Sequence, residues 1–269
     1  MITVAVTGEV RAQLQLLSES RPQSVFSGDK RTLELRWHNA GSTATNAEVG
    51  VRLLQASSAT AITLGQWPWK KLALLPGQTV SENIILDFPV VRARTLFIVQ
   101  LLHGTNHVFG TTEVFVYPTN LLSQLKTLAG EEPLGVFDPA NKLKPLLRAL
   151  AIEFTDTQEE GTDKYQGKLV IFGPFESKSQ MRASLKEDIR ALAKRGVAVV
   201  WLQPPPEKRV PLKPSFYAVR EGEGTVVVAA HDLVRGLAEQ PEAQMNLLRL
   251  AEEALHPTAL TLPETEISN

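Results

Sequence analysis

A change of pattern at Tyr117-Pro118 constrains this chain more than any other feature. On its N-terminal side, short runs of Val, Ile, Leu, Thr and Phe recur between turn signals, and no helical period develops. Thr32-Leu33-Glu34-Leu35-Arg36-Trp37 alternates polar and apolar, which puts Leu33, Leu35 and Trp37 on one face of a strand. The turn Asn39-Ala40-Gly41-Ser42 follows, and Ala47 to Leu53 alternates again. Leu75-Pro76-Gly77-Gln78 is a second turn, with Pro setting φ and Gly free to take φ > 0.

Val80 to Phe88, Thr95 to Leu102 and Thr111 to Tyr117 complete a set of strands with no helix between them. That spacing predicts an antiparallel sandwich of immunoglobulin-like type. Beyond Pro118 the spacing predicts a short helix over Asn120 to Ala129, a buried strand at Leu134 to Asp138 and a helix over Lys142 to Ala151. A strand at Lys168 to Gly173 precedes the best-patterned helix, Ser179 to Arg195. Met181, Leu185, Ile189 and Leu192 form its stripe, and Gly196 stops it. Val197 to Leu202 is nearly all apolar, as a parallel strand covered on both faces requires. Gly224 to Ala230 is another strand, and a last helix runs from Pro241 to Leu255. Strands alternating with helices predict a doubly wound α/β domain. The expected fold class is thus multidomain, all-β plus α/β. The expected sandwich spans 1–118, a linker helix 119–130, the α/β domain 131–257 and a tail 258–269.

Composition narrows the chemistry. The net charge is -1 with well-mixed signs, so no clustered excess of Lys and Arg is present to neutralise phosphates, and no nucleic-acid partner is expected. Cysteine is absent, which removes disulfides, thiolate nucleophiles and Cys-ligated metal sites. The start, Met1-Ile2-Thr3-Val4, reads as a strand rather than a signal peptide, and no apolar segment reaches the roughly 20 residues that cross a bilayer. No membrane partner is expected, and an export signal upstream of this segment stays open.

In an α/β sheet the strand C-termini are the first place to look for a ligand. Asp138 stands at such an end, where it either binds a hydroxyl or a metal or caps the turn Asp138-Pro139-Ala140-Asn141; Asp before Pro favours the cap. Phe172-Gly173-Pro174-Phe175 occupies the place of a nucleophile elbow, which needs Ser or Cys, and neither is there. His231-Asp232 follows a strand and offers a general base without a recognisable nucleophile. His103 and His107 flank the turn Gly104-Thr105-Asn106 without a third metal ligand. Gly161 to Lys168 has the wrong glycine spacing for a phosphate loop, Leu169 replaces the hydroxyl residue, and it precedes a strand instead of following one. Gly222-Glu223-Gly224 reads as a hairpin or loop signal and lacks the dinucleotide pattern. The pairs Glu131-Glu132, Glu159-Glu160 and Glu252-Glu253 are sequence neighbours, unlike carboxylates facing each other across a glycosidase cleft. Trp67-Pro68-Trp69 offers two rings for stacking on sugars, or two rings for a core. No catalytic residue, metal ligand or cofactor is assigned; Asp138, His231, Trp67 and Trp69 are the ligand candidates.

The phrase Phe26-Ser27-Gly28-Asp29 before Leu33 to Asn39, with Asn46 to Leu54 and Leu75-Pro76-Gly77-Gln78 before Val80 to Leu86, resembles the immunoglobulin-like modules of family 2 glycoside hydrolases. Val114-Phe115-Val116-Tyr117-Pro118 resembles the last strand of such a module in β-galactosidase-like members. Gly135 to Pro139, Leu169 to Gly173, Gly196 to Leu202 and His231 to Leu237 are similar to α/β modules related to class I glutamine amidotransferases, a flavodoxin/amidotransferase-like layout. The resemblance implies a non-catalytic accessory region of a carbohydrate-active protein. Its expected partners are the catalytic domain of a parent protein or a second copy, with a glycan as the alternative. A carbohydrate-binding module using Trp67 and Trp69, and a small hydrolase with a site near Asp138 and His231, are the rival functions.

Overall fold

The computed structural model describes residues 14–17, 22–28, 30–104, 107–206 and 216–258. The N-terminal run Met1 to Val4, Asp29, the turn residues Thr105 and Asn106, and the tail beyond 258 lie outside them. The chain divides into two compact units, Met1–Thr119 and Asn120–Asn269.

The first unit holds, among the described residues, β1 (Leu14–Leu17), β2 (Gln23–Phe26), β3 (Lys30–Asn39), β4 (Thr45–Ala56), β5 (Ala61–Leu74), β6 (Thr79–Asp87), β7 (Thr95–His103) and β8 (His107–Tyr117). They form a three-stranded sheet, β1-β3-β6, and a five-stranded sheet, β2-β8-β7-β4-β5. Leu33, Leu35 and Trp37 from the first sheet and Val49, Val51 and Leu53 from the second share one buried cluster. The two turns read from sequence are tied together by Asn39, which is fully buried. Its Nδ2 donates to the carbonyls of Thr43, Leu74 and Leu75 at 2.9, 3.2 and 3.1 Å. Gly77, at φ +69°, supplies the left-handed residue that lets its N–H reach the Asn39 carbonyl at 2.9 Å.

The second unit holds α1 (Gln124–Ala129), β9 (Leu134–Phe137), α2 (Lys144–Ala149), β10 (Phe154–Asp156), α3 (Thr157–Glu160), β11 (Leu169–Phe172), α4 (Leu185–Lys194), β12 (Ala198–Leu202), β13 (Phe216–Glu221), β14 (Gly224–Ala229) and α5 (Pro241–Leu255). Among the described residues its strands form one six-stranded sheet in the order β10-β9-β11-β12-β14-β13. Val170, Phe172, Val199, Trp201, Val226 and Val228 pack with Leu185, Ile189 and Leu192 of α4. By strand alternation Leu169, Ile171, Val200, Leu202 and Val227 face the other way, where α5 packs on β11, β12 and β14.

The expected fold class is corrected by these sheets. Of the described residues 22% are helical and 44% are in strands, an α/β fold on sheets of three, five and six strands, and not an all-β immunoglobulin-like sandwich with a separate doubly wound domain. Two pairings produce the mixing. The early strand β2 lies parallel to the late strand β8, which breaks the antiparallel order of the five-stranded sheet. The tight Gly222-Glu223 turn returns β13 antiparallel onto β14, whereas β9 to β12 and β14 pair in parallel. The helix expected from Ser179 also begins later, at Leu185. Met181 satisfies the helical period because it packs on the core from an extended backbone. Between them Arg182 and Ser184 both bind the Asp188 carboxylate, at 2.8 and 3.2 Å, and close a turn instead.

Candidate functional site

The chain leaves β9 for β10 on one side and crosses back to β11 on the other, so the strand order reverses between β9 and β11. Loops diverge at such a point and leave a crevice beyond the strand C-termini, the usual ligand position in open α/β sheets. Asp138 follows β9 there, and Gly173-Pro174-Phe175 follows β11.

Both positions are committed to structure. Asp138 is 2% exposed, and its Oδ2 accepts hydrogen bonds from the backbone N–H groups of Leu143 and Lys144 at 2.7 and 2.9 Å. Its carbonyl accepts from Asn141 N–H at 3.1 Å, closing the turn. Oδ1 is buried without a hydrogen-bond partner among the described residues. The next charges along, Lys144 and Asp156, form an ion pair that is itself largely buried. At the elbow, Gly173 takes φ +102°, and a Cβ there would come within 3.0 Å of Leu202 Cβ, so only glycine fits. Phe175, where a nucleophile would stand, is fully buried. Its ring lies 6.3 Å from that of Phe137, which is 5.4 Å from Phe172. The Arg182 guanidinium lies over the Phe137 ring at 5.1 Å, and Lys142 meets Glu176 at 3.1 Å between the two loops. The crevice is filled with aromatic rings.

His231 follows β14. From β9 to β14 there are three strand spacings, about 14 Å at roughly 4.8 Å each, too far for a hydrogen bond or a bridging water to Asp138. Burial, with Arg235 nearby, pushes the His231 pKa below its usual value, and Asp232 opposes that shift only in part. Nδ1 of His231 is buried without a partner among the described residues. His103 and His107 do face each other across the β7–β8 hairpin. His103 packs on Phe109 at 5.3 Å, and among the described residues no group of three metal-binding side chains converges.

The glycine-rich segment 161–168 has a role that its sequence conceals. It carries Tyr165, whose hydroxyl accepts from Gly135 N–H at 3.0 Å and faces the carbonyls of Leu169 and Pro133 at 2.8 and 2.9 Å. A Cβ on Gly167 would fall 2.2 Å from that hydroxyl, and one on Gly135 would fall 3.0 Å from the ring. The glycines clear room for a buried tyrosine. Burial pushes its pKa up to about 12.

The two tryptophans both pack against the buried cluster of the first unit. Both are half-buried on β5. Trp69 stacks on the fully buried Trp37, centroids 6.4 Å apart. Trp67 covers Gly65, whose Cβ would sit 3.2 Å from the indole, and lines two surface grooves. One is lined by Asn46, Glu48, Gly50, Lys71 and His103. The other runs along the β5 and β6 edges, lined by Lys30, Leu53, Gln55, Leu64, Ile85, Asp87 and Pro89.

No family model and no curated protein matches the chain. Among solved structures, a β-glucosidase from Listeria innocua in complex with gluconolactone aligns at TM-score 0.30 and 18% identity, covering 39% of this chain and 16% of that one. The alkylpurine DNA glycosylase AlkC of Pseudomonas fluorescens aligns at TM-score 0.30 and 11% identity, covering 39% and 30%. The sporulation control protein Spo0M of Bacillus subtilis aligns at TM-score 0.30 and 12% identity, covering 44% and 56%. The matches thus span less than two thirds of each of these three proteins. At that similarity neither fold nor function carries across. Among the described residues no helix is long and apolar enough to cross a membrane.

Proposed function

We propose that this chain is a non-catalytic accessory region of a carbohydrate-active, glycoside hydrolase-like protein, working in domain assembly or self-association. The observation that carries the non-catalytic part is Phe175, a fully buried ring at the position where hydrolases of this layout hold their nucleophile. The neighbouring carboxylate supports the same reading, because one oxygen of Asp138 already accepts two backbone N–H groups. The separation of Asp138 from His231 keeps those two from acting as an acid–base pair. The carbohydrate-active context rests on the resemblance of the strand and turn phrases alone.

The test has two arms. The purified chain, assayed against nitrophenyl esters and glycosides, is expected to show no turnover above buffer. Turnover that Asp138→Asn or His231→Gln abolishes overturns the non-catalytic reading. For assembly, sedimentation velocity of the chain alone and co-purification with the product of the adjacent coding sequence are expected to reveal one stable partner. A strict monomer that retains no neighbour contradicts the assembly role.

A further inference from the structure

We propose that the groove along the β5 and β6 edges is a binding site for neutral pyranose rings, with Trp67 as the stacking platform. This inference goes beyond the accessory role and does not depend on it. β5 ends the five-stranded sheet and β6 ends the three-stranded one. Between them lies an open groove of about 950 Å³, within the range of small-molecule sites.

The chemistry of the lining selects the ligand. Trp67 and Leu64 supply an apolar wall, and Ile85, 62% exposed, extends it toward solvent. Lys30, Gln55 and Asp87 bring one cation, one amide and one carboxylate to the same groove. All three are exposed, and among the described residues none of their side chains makes a hydrogen bond or ion pair. Lys30 and Asp87 are register partners, so their charges cancel locally and an ionic ligand finds no net field. A wholly apolar ligand would strip water from these three polar groups without replacing its hydrogen bonds. A neutral molecule with one C–H face and a rim of hydroxyls satisfies both halves. The C–H face covers the indole, and the hydroxyls meet an amide, an ammonium and a carboxylate.

The rival occupant is a β-strand added to the free β5 edge. That edge is interrupted twice. Register shifts occur opposite Val49/Gly50 and Leu53/Leu54, which leave Trp69 and Leu64 without a pairing partner. Pro68 has no N–H to donate, and Lys70 and Lys71 follow it. Bulges, proline and lysine are the devices that stop edge-to-edge pairing. A small ligand needs no ladder, so the groove favours it.

Affinity electrophoresis of the full chain in native gels containing mixed-linkage β-glucan, xylan or galactomannan tests this. Retardation is expected in at least one gel, and Trp67→Ala is expected to weaken it by about tenfold or more. Trp67 is half-buried, so Gln55→Ala and Asp87→Asn, at exposed positions, form a second arm. Each is expected to weaken retardation by a smaller factor with an unchanged melting temperature. Absence of retardation in all three gels overturns the proposal, as does retardation that none of the three variants alters. Self-association that protects the Ala61–Gly65 amides from exchange, without glycan retardation, assigns the groove to a second copy and also overturns it.

Discussion

The end of the six-stranded sheet and the edge of the five-stranded sheet invite opposite expectations and receive opposite treatments. At the sheet end, the strand order reverses as it does in many ligand-binding α/β proteins, yet Phe137, Phe172 and Phe175 fill the crevice. At the β5 edge nothing in the topology announces a site, yet a half-buried indole borders a groove with three uncommitted polar side chains. The lesson is that layout only offers positions. Whether a position can bind is decided by what occupies it, ring by ring and hydrogen bond by hydrogen bond.

The sharpest way to break the contrast is to place a hydroxyl at the elbow. Phe175→Ser is expected to cost about 3–5 kcal/mol in urea unfolding, the range for removing a fully buried aromatic ring, and to create no esterase activity. A loss below about 1 kcal/mol would mean that the ring does not fill the crevice. Next in size are two buried hydrogen-bond hubs of the same unit. Asp138→Ala leaves the N–H groups of Leu143 and Lys144 without their acceptor, and about 1–3 kcal/mol is expected to be lost. A neutral result there would free Asp138 for a ligand role.

Tyr165→Phe belongs to the same order, and it has a pH signature. Burial raises the tyrosine pKa to about 12, above its ordinary value of about 10, so the folded state holds the proton more tightly than the unfolded state does. That contribution is fully present below pH about 10 and is lost as pH rises toward about 12. Wild-type stability is expected to fall across that window and the Tyr165→Phe chain to lose that component of the fall. Identical alkaline slopes would contradict the burial assigned to Tyr165.

Single strand faces are legible in the sequence, whereas the fold class is not, and the failures have physical causes. Leu33, Leu35 and Trp37 were readable as one strand face because each is almost fully buried while its neighbours are not. β5, at 14 residues the longest strand among the described residues, leaves no strand signal in the sequence. Ala61 to Leu64 are exposed on both faces, and the inward parity changes between Trp69 and Leu72, so no period of two survives. Pro68 sits within β5, as an edge strand tolerates. The same edge explains why the candidate site was half-read. Trp67 and Trp69 share a face by spacing, and no local rule separates them. Both pack against the core, and what distinguishes them is Trp37, on another sheet, which stacks on Trp69. Asp138 was readable as a turn residue, whereas the distance from Asp138 to His231 depends on a strand order that spacing does not encode.

The smallest expected effect concerns His231. Burial depresses its pKa, so the unfolded state binds a proton first on acidification. Its contribution is present above pH about 6.5 and is lost as pH falls through the folded value. An NMR titration is expected to place the His231 midpoint below the ordinary histidine value of about 6.5. A midpoint at or above it would sink the assignment.

The most direct test of the contrast is a titration of the chain's ¹H–¹⁵N spectrum with cello-, xylo- and galacto-oligosaccharides. Shifts concentrated on the Trp67 indole and on Gln55, Gly65 and Asp87, with Asp138 and Gly173 unmoved, are the expected result. Shifts that gather instead at Asp138, Gly173 and Phe175 would place the ligand in the crevice described as filled, and would contradict the account.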